Sequence, residues 1–401
     1  MRLLVVYPYI PFPVDRGTYQ RTFHLLRALA KDHDVDLLAL SEAGERMDQK
    51  PVFAEFCRRV EFVRFEHPKW ARLFPDRLLN PLPTTIRHWL QPNVAEAIQR
   101  FTQGQQYDLV HVCDIVMAQY FFNQLSHLPL AIDRSRVDLQ FQLAQREAMS
   151  TGLRQSVLDW ENITKLKRFE RRIARRTAVE VVCGPDDETF IRQRISRDVP
   201  VQVITNGVDL DYFVPSASMG PRATEPTVLF CGAMDYAPNV DALRWFFAGI
   251  HDSLRQRVPD LRVLIVGKAP VAEVQAYAQR PGVTVTGGVP DVRPFYRQAW
   301  LQIVPLRIGG GTRLKIPESM AMGTPVISTS IGAQGLGLRH GDDLLLADTP
   351  ETFVQETARA LGDPSLRARL HDEGMKTVHH RLSWPMLGQQ LSDYYAKRFQ
   401  N

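Results

Sequence analysis

The sequence predicts an α/β protein built from two doubly wound, parallel-sheet units, and three observations carry that expectation. Short apolar runs recur along the chain, each closed by glycine, proline or another turn-forming residue and separated from the next by a helical stretch. Strands that are apolar throughout belong to parallel sheets covered on both faces. A Pro/Ser/Gly-rich stretch at residues 215–226 divides these runs into two series and reads as the linker. Finally, 401 residues exceed what one hydrophobic core usually organises.

Taken in order, residues 3–6 form the first expected strand, and residues 18–31 a helix burying Phe23, Leu26, Leu29 and Ala30 at helical spacing. Strands follow at 35–40 and 107–112, then at 179–183, ending in Gly184-Pro185, and at 201–204, closing at Asn206-Gly207. The second series has strands at 227–231, before Gly232, and at 261–266, before Gly267. It continues at 283–286, before Gly287-Gly288, at 301–304, before Pro305, and at 325–328. Small residues at the strand ends keep the loops clear for a ligand at the carboxyl edge of each sheet.

Composition narrows the class. With 44% hydrophobic and 23% charged residues the chain is an ordinary globular protein. The opening apolar run is too short for a signal peptide, and no run approaches the ~18 apolar residues of a membrane span. Cys57, Cys113, Cys183 and Cys231 lie far apart without a Cys-x-x-Cys pair, which predicts reduced thiols, a cytoplasmic protein and no zinc site. A formal charge of +5 suits anionic small molecules or a membrane surface and does not point to nucleic acid.

Residues 309–323 are the most informative stretch: three glycines, Gly309, Gly310 and Gly311, follow the strand at 301–304 and precede a helix expected to start at Pro317 and stop at Gly323. A strand, a glycine loop and a helix start form an anion receptor, because glycine allows close backbone approach and the first-turn N–H groups lack partners. Gly310, Gly311 and Thr312 are expected to offer backbone donors to a diphosphate, and Arg313 and Lys315 to add two cations. Glu318 is expected to accept hydrogen bonds from a sugar's vicinal hydroxyls. Phosphate together with ribose means a nucleotide. In the first unit, a proline-stiffened loop delivers Gly17 to a helix start, with Arg16 and Arg21 nearby. Gly232 and Lys268, at the ends of two second-series strands, complete the expected donor-binding set.

Other chemistries lack their motifs. Neither unit has Gly-x-Gly-x-x-Gly after its first strand, and the chain has no P-loop, His-Glu-x-x-His or Gly-x-Ser-x-Gly. Asn206-Gly207-Val208-Asp209-x-x-x-Phe213, the 309–323 segment with Thr324-Pro325-Val326-Ile327-Ser328-Thr329, and Gly341-Asp342-Asp343-Leu344-Leu345-Leu346 together resemble family four glycosyltransferases. The Gly17 loop and Tyr107-Asp108-Leu109-Val110-His111 fit the same family, so the resemblance spans nearly the whole chain. It implies the GT-B fold, two Rossmann-like domains facing across a cleft: residues 1–205 on the acceptor side and 206–383 for the nucleotide sugar. The C-terminal helix at about 384–401 is expected to pack back on the first. It further implies a retaining, metal-independent sugar transfer with no cofactor beyond the nucleotide sugar itself, in the manner of exopolysaccharide gene-cluster transferases.

This chain departs from the family at three places. Gly310 stands at the first position of the family's Glu-x7-Glu pair, with Glu318 at the second. Ala233 and Pro238 stand where Arg and Lys are common, and Cys113 where a His is common. His111 and Asp114 remain the catalytic candidates. Two other readings stay open on this sequence: a nucleotide-sugar epimerase, and a non-catalytic nucleotide-sugar-binding protein. Residues 164–176 form the densest basic run, with Ile163, Leu166, Phe169 and Ile173 at helical spacing. They predict a helix with one packed and one basic face, either simply solvated or in peripheral contact with the membrane's inner face, where a lipid-linked or carbohydrate acceptor would be met.

Overall fold

The computed structural model describes residues 1–66, 80–122, 125–148, 153–308 and 312–400. By contacts the chain divides into two units, Met1–Ile204 with Leu387–Asn401, and Thr205–Met386. The first holds a seven-stranded sheet: β1 (Arg2–Tyr7), β2 (Asp34–Glu42), β3 (Arg59–Phe65), β4 (Leu109–Cys113), β5 (Leu130–Arg134), β6 (Val179–Val182) and β7 (Val201–Val203). Its spatial order is β3-β2-β1-β4-β5-β6-β7, parallel throughout. The second unit holds β8 (Thr227–Cys231), β9 (Arg262–Val266), β10 (Val283–Gly287), β11 (Leu301–Val304), β12 (Val326–Ser328) and β13 (Leu345–Leu346), in the order β10-β9-β8-β11-β12-β13, also parallel.

In both sheets the order reverses beside the first strand, between β1 and β4 and between β8 and β11. Such a switch point opens a crevice at the carboxyl ends of the strands. Each unit has its own core, one around Leu4, Val6, Val110 and Ile132, the other around Leu229, Phe230, Ile265 and Ile303.

The first unit also buries charge. The helix Gly17–Asp32 places Arg21 fully inside, where Nε and Nη2 bind Asp133 Oδ1 at 2.9 and 2.6 Å and Nη1 donates to the Ile204 carbonyl at 2.7 Å. Arg21 is therefore committed to Asp133 and is not the anion-facing cation that its sequence position suggested. Next along β5, Arg134 binds Glu170 at 2.7 Å and Glu180 at 2.6 Å, all three enclosed. This network satisfies an acid in the middle of β6 and an acid on the inner face of the helix Leu153–Ala174, whose Ile163, Leu166, Phe169 and Ile173 are buried.

Residues 215–226 are not a free linker. The division between units falls at 204–205, and this strap is tied to the second unit: Ala223 N–H donates to Gln298 O, Trp300 Nε1 donates to Ala223 O, and Arg222 reaches Ala299 O. The terminal segment is likewise anchored in the first unit, where Ser392 Oγ lies 2.7 Å from Asp32 and 3.0 Å from His33 Nε2.

Candidate functional site

At the switch point of the second sheet, β8 runs out into Gly232, whose φ of +155° is rarely adopted by residues with a side chain. Space demands glycine there as well. A Cβ would lie 2.7 Å from Asn239 Nδ2 and 3.1 Å from Lys315 Nζ. Gly267, after β9, is pressed against the Gly232 carbonyl, which a Cβ would approach to 1.6 Å. Lys268 is exposed, and its carbonyl ties it to this loop by accepting from Met234 N–H at 2.8 Å.

The second loop of the crevice follows β11. Gly310 and Gly311 lie outside the described residues. Thr312 is half-buried, and its hydroxyl is enclosed without a hydrogen-bond partner among the described residues. The helix that follows is Lys315–Ala321, so Lys315 rather than Pro317 is its first residue. Pro317 is still tolerated because first-turn N–H groups need no intrahelical acceptor. In a helix of under two turns the formal charges outweigh the end-dipole.

Lys315 points back to the β8 loop. Its ammonium donates to Asn239 Oδ1 at 3.0 Å and lies 4.4 Å from the Phe230 ring centroid. Asn239 is itself held, donating through Nδ2 to Ala233 O at 2.8 Å. Burial, followed by the nearby Arg313 guanidinium, pushes Lys315 down to about 8. Glu318 lies on the same helix. Its Oε2 accepts from the buried Tyr296 hydroxyl at 3.1 Å. Tyr296 in turn stands edge-on to Phe213, 6.3 Å between centroids. Burial and the Glu318 charge raise the Cys231 thiol to about 11, leaving it an inert neighbour.

The structure thus brings Gly232, Lys315, Glu318 and the approach to Arg313 into one crevice, with Thr312 on the adjoining loop. It adds Asn239 and Tyr296, which sequence reasoning missed: their partners lie 76 and 22 residues away. The one local signal was Pro238-Asn239 at a helix start just after a glycine loop.

The remaining candidates belong to the first unit. Gly17 is the exposed first residue of its helix, and Arg16, at the N-cap, makes no side-chain cap bond. His111 does not present a reactive group. Its ring is fully buried beside Tyr7 and Tyr395, with Nδ1 2.9 Å from the Tyr395 hydroxyl. Burial holds it neutral, down to about 4. Asp114 is better placed, at the carboxyl end of β4. Its φ of +70° and ψ of 150° lie in a region otherwise left to glycine, and such strain gathers at functional sites. Its carboxylate accepts from Ile115 N–H at 2.7 Å, and burial followed by the Asp138 charge raises it to about 7.

Residues 225–363, which contain every element of the second-unit crevice, match the family described as glycosyl transferases group 1. The chain carries a glycosyltransferase domain. Over 371 residues it is 27% identical to an uncharacterized 44.6 kDa protein in the cps region of Klebsiella pneumoniae, spanning 88% of this chain and 89% of that one. It is 28% identical over 225 residues to a D-inositol 3-phosphate glycosyltransferase of Streptomyces bingchenggensis, 49% of this chain and 48% of that protein. Among solved structures, sucrose-phosphate synthase from Thermosynechococcus elongatus superposes with a TM-score of 0.74 at 20% identity over 100% of both chains. HepE from Anabaena in complex with UDP gives 0.69 at 16% identity, over 99% of this chain and 100% of that one. These likenesses show the GT-B fold, and the glycosyltransferase domain sits on the second of its two Rossmann-like units.

Proposed function

We propose that this glycosyltransferase moves a sugar from a nucleoside diphosphate sugar to a carbohydrate or lipid-linked acceptor, with retention and without a metal ion. The observation that carries the reading is the pairing of Lys315–Asn239 with Glu318–Tyr296 on one short helix at the switch-point edge. One pair presents a positively charged donor for a diphosphate, and the other a carboxylate held to accept two ribose hydroxyls. The acceptor hydroxyl oxygen bonds to the anomeric carbon as the bond to the β-phosphate oxygen breaks, and the hydroxyl proton passes to the departing phosphate oxygen. Lys315, with Arg313 beside it and the Thr312 hydroxyl, offsets the charge that then develops on the leaving diphosphate. That arrangement gives the protein's own cations the part a metal ion would otherwise play. Uridine is the nucleoside to try first, since HepE has been solved with UDP and a structure described as trehalose-6-phosphate from E. coli with UDP-2-fluoro glucose. The cps-region relative favours a polysaccharide or its lipid-linked precursor as acceptor.

Peripheral membrane contact belongs to the same proposal. On the helix Leu153–Ala174, Val157 and Trp160 are 63% and 59% exposed, and Arg168, Arg171 and Arg172 are exposed further along. Apolar anchors beside a basic stripe suit an anionic lipid surface. Incubating the full chain with UDP-glucose and other nucleotide sugars, with chelator present, tests the enzymatic core. Release of nucleoside diphosphate with a product of unchanged anomeric configuration supports the reading, and binding without turnover across donors and acceptors refutes it. Interconversion of the donor sugars without transfer would make the protein an epimerase.

A further inference from the structure

The helix that opens with Lys315 ends beside a second, separate cavity. Gly323 follows the helix with a φ of +70°, and a Cβ there would lie 2.3 Å from His371 Cε1. The Gly323 carbonyl is held twice, by His371 Nδ1 at 2.7 Å and by Arg222 Nη2 at 3.1 Å. Arg222 Nη1 also donates to Ala299 O at 2.6 Å. Among the described residues Arg367 donates through Nη1 alone, to Ala360 O and Leu361 O, and its guanidinium lies 4.5 Å from the Trp300 ring centroid. Between these groups lies a cavity of about 250 Å³ lined by Arg222, Gly323, Pro325, Arg367, His371 and Asp372, with Ala368 at its edge. At about 30 Å³ per water, that is room for several waters or a tetrahedral oxyanion.

The charge here is not balanced. Arg222, Arg367 and the adjacent Arg297 bring three guanidinium groups together, and among the described residues none of the three forms an ion pair. The Arg297 Nε is enclosed without a hydrogen-bond partner. Arg297 and Arg367 both press the Arg222 guanidinium toward its neutral form, after burial itself. Two acids lie nearby without an ion pair to these arginines: Asp372 is exposed, and Asp363, whose charge favours the charged form of Arg367, accepts Leu366 N–H at 3.0 Å. A purely structural role, clasping backbone carbonyls, accounts for two of the three Arg222 nitrogens and one of the three Arg367 nitrogens. The other N–H groups sit beside a cavity with no carboxylate bonded to them, the condition in which a bound anion stabilises most.

We propose that this cavity, at the amino ends of β11 and β12 and away from the nucleotide crevice, is a second anion-binding site that takes phosphate, either as the inorganic ion or as the terminal group of a phosphomonoester. The proposal does not depend on the donor assignment. Calorimetric titration of the full chain with inorganic phosphate, and separately with glucose 6-phosphate, tests it in the wild type, Lys315→Ala, Ala368→Glu and Arg367→Gln. Ala368 is an exposed helix position, so Ala368→Glu supplies an internal carboxylate without disturbing the fold, and its melting temperature is expected to match or exceed the wild type. Expected is saturable binding of at least one of the two ligands that survives Lys315→Ala and weakens by about tenfold or more in Ala368→Glu and Arg367→Gln, the scale of a lost charge-assisted bond. The better of the two ligands identifies the source of the phosphate. Absence of saturable binding overturns the proposal, as does binding unchanged by Ala368→Glu or abolished by Lys315→Ala alone.

Discussion

Glu318 and Lys315 lie one turn apart on the same helix, yet each is positioned by a side chain from elsewhere in the second unit. Tyr296 gives one of its hydrogen bonds to Glu318 Oε2, so Tyr296→Phe should raise the donor KM about fivefold, the worth of roughly 1 kcal/mol, and leave kcat near wild type. Glu318→Gln should go further, lowering transfer by tenfold or more, since about 1.5–3 kcal/mol rides on each bond to a charged acceptor, with little change in melting temperature. A residue that served only the helix dipole would show the reverse, a small stability loss and intact activity. Lys315 makes a sharper prediction because it titrates near about 8. Its ammonium is lost as pH rises, so kcat/KM for the donor should fall above pH 8, whereas a bound diphosphate holds the proton and moves the kcat limb higher. Asn239→Asp places an anion against the ammonium and should shift the kcat/KM limb to higher pH. A limb that stays put in that variant would remove Lys315 as its origin.

Among the elements, β8 and β11 were legible to the residue, because both are short, mostly apolar and followed by glycine or proline. β3 and β5 were not. β3 alternates charged and apolar residues, as an edge strand does, and β5 ends in Asp133-Arg134, charges that are tolerable inside only because Arg21, Glu170 and Glu180 meet them there. The candidate site was legible wherever one loop carried it, at Gly232, Lys315 and Glu318. It was illegible where it depended on pairing between loops, at Asn239 and Tyr296. Burial, which sequence does not report for a single His on an apolar strand, took His111 out of the site. The helix Leu153–Ala174 combines both kinds of information: its buried positions follow from spacing, while the exposure of Val157 and Trp160 does not. Sedimentation with anionic vesicles should fall when Trp160 becomes Ala. Replacing Arg168, Arg171 and Arg172 with Gln should cost roughly a hundredfold in partitioning at low salt, from about 1 kcal/mol per cation near the surface. Neutral vesicles should bind neither form. Equal sedimentation of wild type and the triple variant would leave this face merely solvated.

For the molecule as a whole, each unit has its own core, and the first encloses a histidine. His111 is enclosed at the centre of the first sheet and stays neutral down to about 4, whereas in the unfolded chain it takes up a proton near its ordinary value of about 6.5. Its folded pKa is depressed, so the stability it contributes is fully present above about 6.5 and is lost progressively as pH falls toward 4. Integrated down to about pH 5, the loss is about 2 kcal/mol. Other groups also titrate here: burial depresses His33 and His251 in the same direction, while Asp114, Glu170 and Asp187 are raised and act oppositely. Comparing wild type with His111→Phe at each pH cancels these shared contributions. The variant loses the bond to Tyr395 and leaves that hydroxyl buried, so it should be weaker at about pH 7.5 by about 1–3 kcal/mol. Its deficit should then shrink by about 2 kcal/mol at about pH 5, read from hydrogen exchange of the β1 and β4 amides at matched pH. Parallel loss in both proteins would mean that the proton sensed on acidification sits elsewhere in the first unit, and that His111 is protonated in the fold despite its enclosure.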